Sequence, residues 1–196
     1  MNSKLKTAII FLLALLPRAV SLQTFVTADE AKWVYRSAQF LGALLRGDFP
    51  ATAVNLTPAV TTTWLGSAGL WAYHALHRAA LPPLDEWLAR LPPFRVELPV
   101  LAAVRLPAAL FAAAAIAALY LLARRLWGRE IALCGAILLA LDPHTVALSR
   151  IIGHDAPAAL FVALSLLALL LAWRPAEGGP ARGWNLLSGV FAGLAF

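Results

Sequence analysis

From Pro99 to Ala123 the chain runs for 25 residues with a single charge, Arg105. That length matches what a helix needs to cross roughly 30 Å of hydrocarbon. Similar Leu- and Ala-rich stretches cover residues 8–25, 131–148, 156–173 and 184–196. None alternates with period two, so a membrane β-barrel is excluded. Backbone polar groups in lipid must be satisfied within the segment, which leaves helices. The pattern predicts an all-α, polytopic transmembrane bundle. With 61% hydrophobic and only 13% charged residues, the chain lies well outside soluble composition.

The net charge of +6 does not point to nucleic acid. The basic residues sit at the ends of apolar stretches, where they act as topology signals. With the N-terminus in the cytoplasm, Lys4, Lys6, Arg124, Arg125, Arg129, Arg174 and Arg182 all fall on cytoplasmic segments. Residues 26–98 then form a long first extracytoplasmic loop. Eight of the ten carboxylates lie outside, with Glu130 and Glu177 inside. The expected location is the plasma (inner) membrane. Residues 8–25 read as a retained anchor helix, because Pro17 and Arg18 interrupt the stretch and no small-x-small cleavage site follows. The apolar run that reaches Phe196 reads as a span cut short, so the expectation is the N-terminal part of a longer bundle. The lone Cys134 reads as a small buried hydrophobe.

Within the outer loop, Trp64–Leu81 is apolar enough to suggest a further crossing. A crossing there would move Arg124–Arg129 outside and break the charge rule. The segment therefore reads as an amphipathic helix on the outer surface, anchored by Trp64 and Trp71.

Three groups of residues carry candidate chemistry. Thr27-Ala28-Asp29-Glu30 opens a helical pattern just after the first span. Its structural reading is a capping box, with Asp29 complementing the helix dipole. Its functional reading is Asp29 as a general base where outer water meets lipid. Asp142, Arg150 and Asp155 sit at the outer ends of adjacent spans, either as an interfacial turn or as a ligand site. Arg105 lies near the outer end of its span, either snorkelling or holding an anion such as a lipid phosphate. His74, His77, His144 and His154 match no zinc spacing. Asn55-Leu56-Thr57 fits the N-glycosylation pattern, weakened by Pro58. No phosphate loop, nucleophile elbow or dinucleotide fingerprint occurs.

The order of these groups resembles the GT-C glycosyltransferases, in the protein O-mannosyltransferase and aminoarabinose-transferase-like branch. Thr27-Ala28-Asp29-Glu30-Ala31-Lys32-Trp33-Val34-Tyr35 is similar to the family's Asp-Glu motif in its first outer loop. Thr57-Pro58-Ala59-Val60-Thr61-Thr62-Thr63-Trp64-Leu65-Gly66 is similar to a His-Pro-Gly-Val-Thr-Thr-x-Trp-Leu-Gly stretch, with Thr57 and Ala59 replacing the His and Gly. Leu141-Asp142-Pro143, Ser149-Arg150 and Asp155 resemble the second outer loop. The resemblance implies an inverting transfer of sugar from a polyprenyl-phosphate carrier to an extracytoplasmic acceptor that is a protein, a lipid or an envelope glycan. It implies Asp29 as the base that deprotonates the acceptor hydroxyl, and Glu30 as the residue that orients that hydroxyl or holds the helix start. Arg105, Arg150, Asp142 and Asp155 would serve the substrates. Some branches of the family use a divalent metal, and no residue here can be assigned to one. The competing expectations are a transporter or flippase subunit and a non-catalytic membrane scaffold.

Overall fold

A computed structural model describes residues 3–54, 59–174 and 181–196. Asn55–Pro58, with the glycosylation pattern and the start of the second motif, lie outside the described residues, as does Glu177. The described residues are helical, with no strand. The described residues form a short 3-10 helix at Pro50–Thr52 and nine α-helices: α1 (Ser3–Ala19), α2 (Glu30–Leu45), α3 (Val60–Leu76), α4 (Leu84–Ala89), α5 (Leu98–Trp127), α6 (Arg129–Leu141), α7 (Pro143–Ser149), α8 (Asp155–Trp173) and α9 (Ala181–Ala195).

Helix α5 is the central element and packs against α1, α3, α6 and α8. Its alanines at 108, 109, 112, 113, 115 and 117 are buried and let neighbouring backbones approach closely. Small residues serve this purpose wherever lipid removes the hydrophobic drive between helices. Ile10 and Ala14 of α1, Ala132, Ala136 and Ala140 of α6, and Leu160, Phe161 and Leu164 of α8 complete this core. Gly128, at φ +85°, reverses the chain between α5 and α6 in a single residue, a conformation that costs a glycine little. Helices α8 and α9 are clasped by Ser165, whose Oγ donates to the Ser188 carbonyl at 2.9 Å.

By length and composition, α5 and α8 can each cross a membrane. The expected span at 131–148 is instead broken. Helices α6 and α7 meet at a 60° bend at Asp142-Pro143, since proline has no N–H to continue the helix. The first helix also departs from its expected bounds. It ends at Ala19, and residues 20–27 form an irregular connection with Ser21 and Phe25 at positive φ. Cys134 is exposed on α6 rather than buried. The seam of α6 against α5 is carried by alanines 132, 136 and 140, and Cys134 falls off that stripe.

A second, smaller core lies under the outer-loop helices. It joins Trp33 and Val34 of α2, Leu70 of α3, Trp87 and Leu88 of α4, Val100, Leu101 and Val104 of α5, and Ile152. Helix α3 presents its small and polar side inward (Thr62, Thr63, Gly66, Ser67, Gly69) and its bulky apolar residues Trp64, Trp71 and Leu76 outward. Glycine at 69 is required by the crossing, because a Cβ there would lie 2.4 Å from the Ala103 carbonyl oxygen and 2.6 Å from Val104 Cα. Both obstacles are backbone, so neither can swing aside. Gly69→Leu is expected to separate α3 from α5, and overpacking of this kind costs about 1–3 kcal/mol or more. Thermal unfolding in detergent checks this. A variant as stable as the parent would show that the crossing is looser than described.

Candidate functional site

The connection 20–27 is shaped by two arginines, one within α5 and one just after α7. Arg105 of α5 donates through Nη1 to the carbonyls of Leu22 (2.7 Å) and Thr24 (2.8 Å), and through Nη2 to that of Phe25 (2.6 Å). Arg150 donates through Nη2 to Val20 (2.5 Å) and Ser21 (3.4 Å). Five successive carbonyl acceptors, skipping only Gln23, therefore turn toward guanidinium groups. These bonds offset the cost of placing Ser21 and Phe25 at positive φ.

Glu30 lies at the centre of this arrangement and is fully buried. Its carboxylate receives Arg105 Nε at 2.7 Å and Nη2 at 2.5 Å, a bidentate fork. It also accepts the Thr27 N–H at 2.9 Å and the Ile152 N–H at 3.1 Å. Burial alone would push this carboxyl up. The hydrogen bonds from Arg105, the Thr27 N–H, the charge of Arg105 and the Ile152 N–H outweigh it and hold the group below the ordinary glutamate value. Glu30 is thus held as a carboxylate at neutral pH, with each oxygen accepting two hydrogen bonds. Arg105 spends all five of its N–H groups on Glu30 and on the carbonyls of 22, 24 and 25. None is left over for an incoming phosphate.

Asp29 has the opposite environment. It is the N-cap residue of α2, its side chain makes no cap hydrogen bond, and it is 73% exposed. Among the described residues its charged partner is Lys32, at 3.2 Å. The capping box read from the sequence is half present. Glu30 reaches back to the Thr27 N–H, while the N-cap position falls on Asp29.

The three sequence stretches converge on residues 150–155. Glu30 of the first takes the Ile152 N–H. Trp33, also of the first, lies against the His154 ring with centroids 5.7 Å apart. Thr62 of the second donates its hydroxyl to the Gly153 carbonyl at 3.2 Å. Arg150 of the third anchors the connection after α1. Asp155 opens α8 beside His154, exposed, at 3.4 Å. Asp142 lies at the other end of α7, where its carboxylate caps the helix by accepting the Thr145 N–H at 2.7 Å. Among the described residues, no three His, Cys, Asp or Glu side chains gather as a metal-binding set.

Arg18 stands in the sequence only as an interruption of the first span. The structure buries it completely against the α6–α7 bend. The available signal was a cation within an apolar helix, which rarely stands idle.

The opposite end of the bundle is basic. Arg174 donates to the carbonyls of Arg125 and Leu126, and Arg125 lies over the Trp184 ring at 5.1 Å. One pole thus carries Arg125 and Arg174 near helix ends, and the other carries Glu30 with Arg105, together with Asp29, Asp142, Arg150 and Asp155. Together with the spanning helices, this defines a multi-pass helical membrane protein with a built polar site at one end. A family model described as dolichyl-phosphate-mannose-protein mannosyltransferase matches residues 80–196, more than half of the chain, and the chain belongs to that family. The matched part holds Arg105, Asp142, Arg150 and Asp155. Asp29 and Glu30 precede it. No curated protein and no solved structure matches the chain.

Proposed function

We propose that the protein is an inverting membrane glycosyltransferase that moves a sugar from a polyprenyl-phosphate carrier to an extracytoplasmic acceptor. The observation that carries this reading is the convergence of three separate stretches on residues 150–155, which leaves Asp29 exposed beside a rigid, fully bonded Glu30–Arg105 scaffold. In the proposed reaction Asp29 takes the proton of the acceptor hydroxyl. The hydroxyl oxygen attacks the anomeric carbon, and the bond from that carbon to the phosphate oxygen breaks. The electron pair leaves with the polyprenyl phosphate, whose growing charge needs a cation. Arg150 suits that role better than Arg105. Among the described residues only its Nη2 is committed, so the Nε and Nη1 N–H groups are available as separate donors. Glu30 and Arg105 act as positioning residues that hold the start of α2. Asp155, exposed beside His154, is placed to bind hydroxyls of the sugar or acceptor.

The proposed orientation puts this pole outside the plasma membrane and the pole with Arg124, Arg125, Arg129, Arg174 and Arg182 in the cytoplasm. Membranes containing the protein should transfer sugar from a polyprenyl-phosphate sugar and not from a free nucleotide sugar. A reporter joined after Arg129 should be cytoplasmic, and one joined near Leu84 external. Transfer from the nucleotide sugar alone, or reversed reporters, would overturn the proposal.

A further inference from the structure

Helix α6 stops where Pro143 withholds an N–H. In an uninterrupted helix the Leu139 carbonyl would accept from the N–H of residue 143, and the Ala140 carbonyl from that of residue 144. Proline removes the first partner, and the 60° bend carries the second away. Such groups, buried without donors, are costly. Arg18 of α1 meets both. Its Nη1 donates to the Ala140 carbonyl at 2.7 Å, and its Nη2 to that of Leu139 at 3.4 Å. The same guanidinium reaches across the bend. Its Nε donates to Ser149 Oγ at 2.7 Å, and that hydroxyl donates to the Thr145 carbonyl at 2.5 Å. A further bond from Nη1 to the Ala14 carbonyl, 2.7 Å, holds the side chain against its own helix. Arg18 therefore touches the end of α6 and the end of α7 together, and Asp142 at the corner feels its charge.

We propose that Arg18 is a positioning residue that replaces the hydrogen bonds lost at Pro143, locks the α6–α7 bend, and so sets where Asp142, Arg150 and Asp155 stand. The catalytic consequence rests on the glycosyltransferase reading, whereas the clamp itself does not. A lysine cannot serve the same acceptors, since a point ammonium lacks the planar fork that spans Ser149 and Ala140.

The test has two arms. The first is a double-mutant cycle of Arg18→Met and Pro143→Ala, read as melting temperature in detergent. Arg18→Met alone should lower the midpoint by roughly 6 °C or more for a chain of this size. Pro143→Ala returns an N–H to position 143, so in that background the fall should be less than half as large. Equal falls in both backgrounds would overturn the clamp. If Arg18→Met does not accumulate, Arg18→Lys is carried through the same cycle with the same criterion. The second arm measures transfer by Arg18→Lys in membranes. A misplaced loop should raise KM for the polyprenyl-phosphate sugar at least roughly tenfold. A loss of folded protein alone would lower the maximal rate and leave KM unchanged, which would overturn the positioning role. Absence of transfer in the parent protein would defeat the glycosyltransferase reading, and the thermal cycle would still decide the clamp.

Discussion

Asp29→Asn is expected to cut sugar transfer by about 10²–10⁴-fold, the usual worth of general-base assistance, while the protein still inserts and folds. The amide keeps the size of the carboxylate and cannot take a proton at neutral pH. Little stability should be lost, because the Asp29 side chain makes no cap hydrogen bond and stands in solvent. Asparagine is also a good N-cap residue in its own right. The Lys32 ion pair is exposed, and such pairs contribute at most about 1 kcal/mol. Thr27→Ala is the companion variant. Glu30 binds the backbone N–H of Thr27, which alanine retains, so transfer should stay near the parental rate. The readout is initial rate per folded protein. Near-normal transfer by Asp29→Asn would remove Asp29 from the chemistry and leave α2 as scaffold.

Glu30→Ala or Arg105→Ala should unfold this end of the bundle. Removing one member of a buried ion pair strands the other, at a cost of about 3–5 kcal/mol. Here the damage extends further. Without Arg105, the carbonyls of Leu22, Thr24 and Phe25 lose their donor. Without Glu30, the N–H groups of Thr27 and Ile152 lose their acceptor. Such losses are a large fraction of the 5–15 kcal/mol that holds a typical domain together. Accumulation in membranes and melting temperature should both fall, well beyond the effect of Asp29→Asn. The pH dependence follows from the depressed carboxyl. Its contribution is complete above the unfolded value, near 4.5, and is lost as pH falls through the lower folded value. Glu30→Gln should therefore be less stable at neutral pH and should lose part of the acid-induced fall in stability. Parental stability for either alanine variant would show that the fork carries no weight.

These two expectations separate an adjacent pair of carboxylates that the sequence presents as one motif. Asp29-Glu30 follows the first apolar stretch in either case, and nothing local says which residue faces water. Helix α2 settles it. Its apolar stripe, with Trp33 and Val34, turns one side toward α3, α4 and Ile152. Glu30 shares that side, and Asp29, one residue earlier, does not. A step of about 100° around a helix separates a buried, arginine-bound carboxylate from one that stands in solvent beside Lys32.

The apolar stretches were legible from composition alone, because lipid demands about 20 residues of hydrocarbon-compatible helix and tolerates no alternative backbone. The placement of α5 and α8 followed from that demand, whereas the helices of the outer loop were read from local pattern. The charge pattern gives an expected polarity for the bundle, and the motif order gives the residues proposed for the site. What sequence could not supply was the partner of each buried cation. Arg105 read as a snorkelling or phosphate-binding residue, and only tertiary contact with Glu30 and the 20–25 connection filled its fork. Arg18 read as a flaw in a span, and only the approach of α6 and α7 gave it acceptors. Periodicity depends on near neighbours in the chain. Arg105 meets Glu30 across 75 residues and Arg18 meets Ser149 across 131, distances over which the order of residues says nothing until the helices are packed.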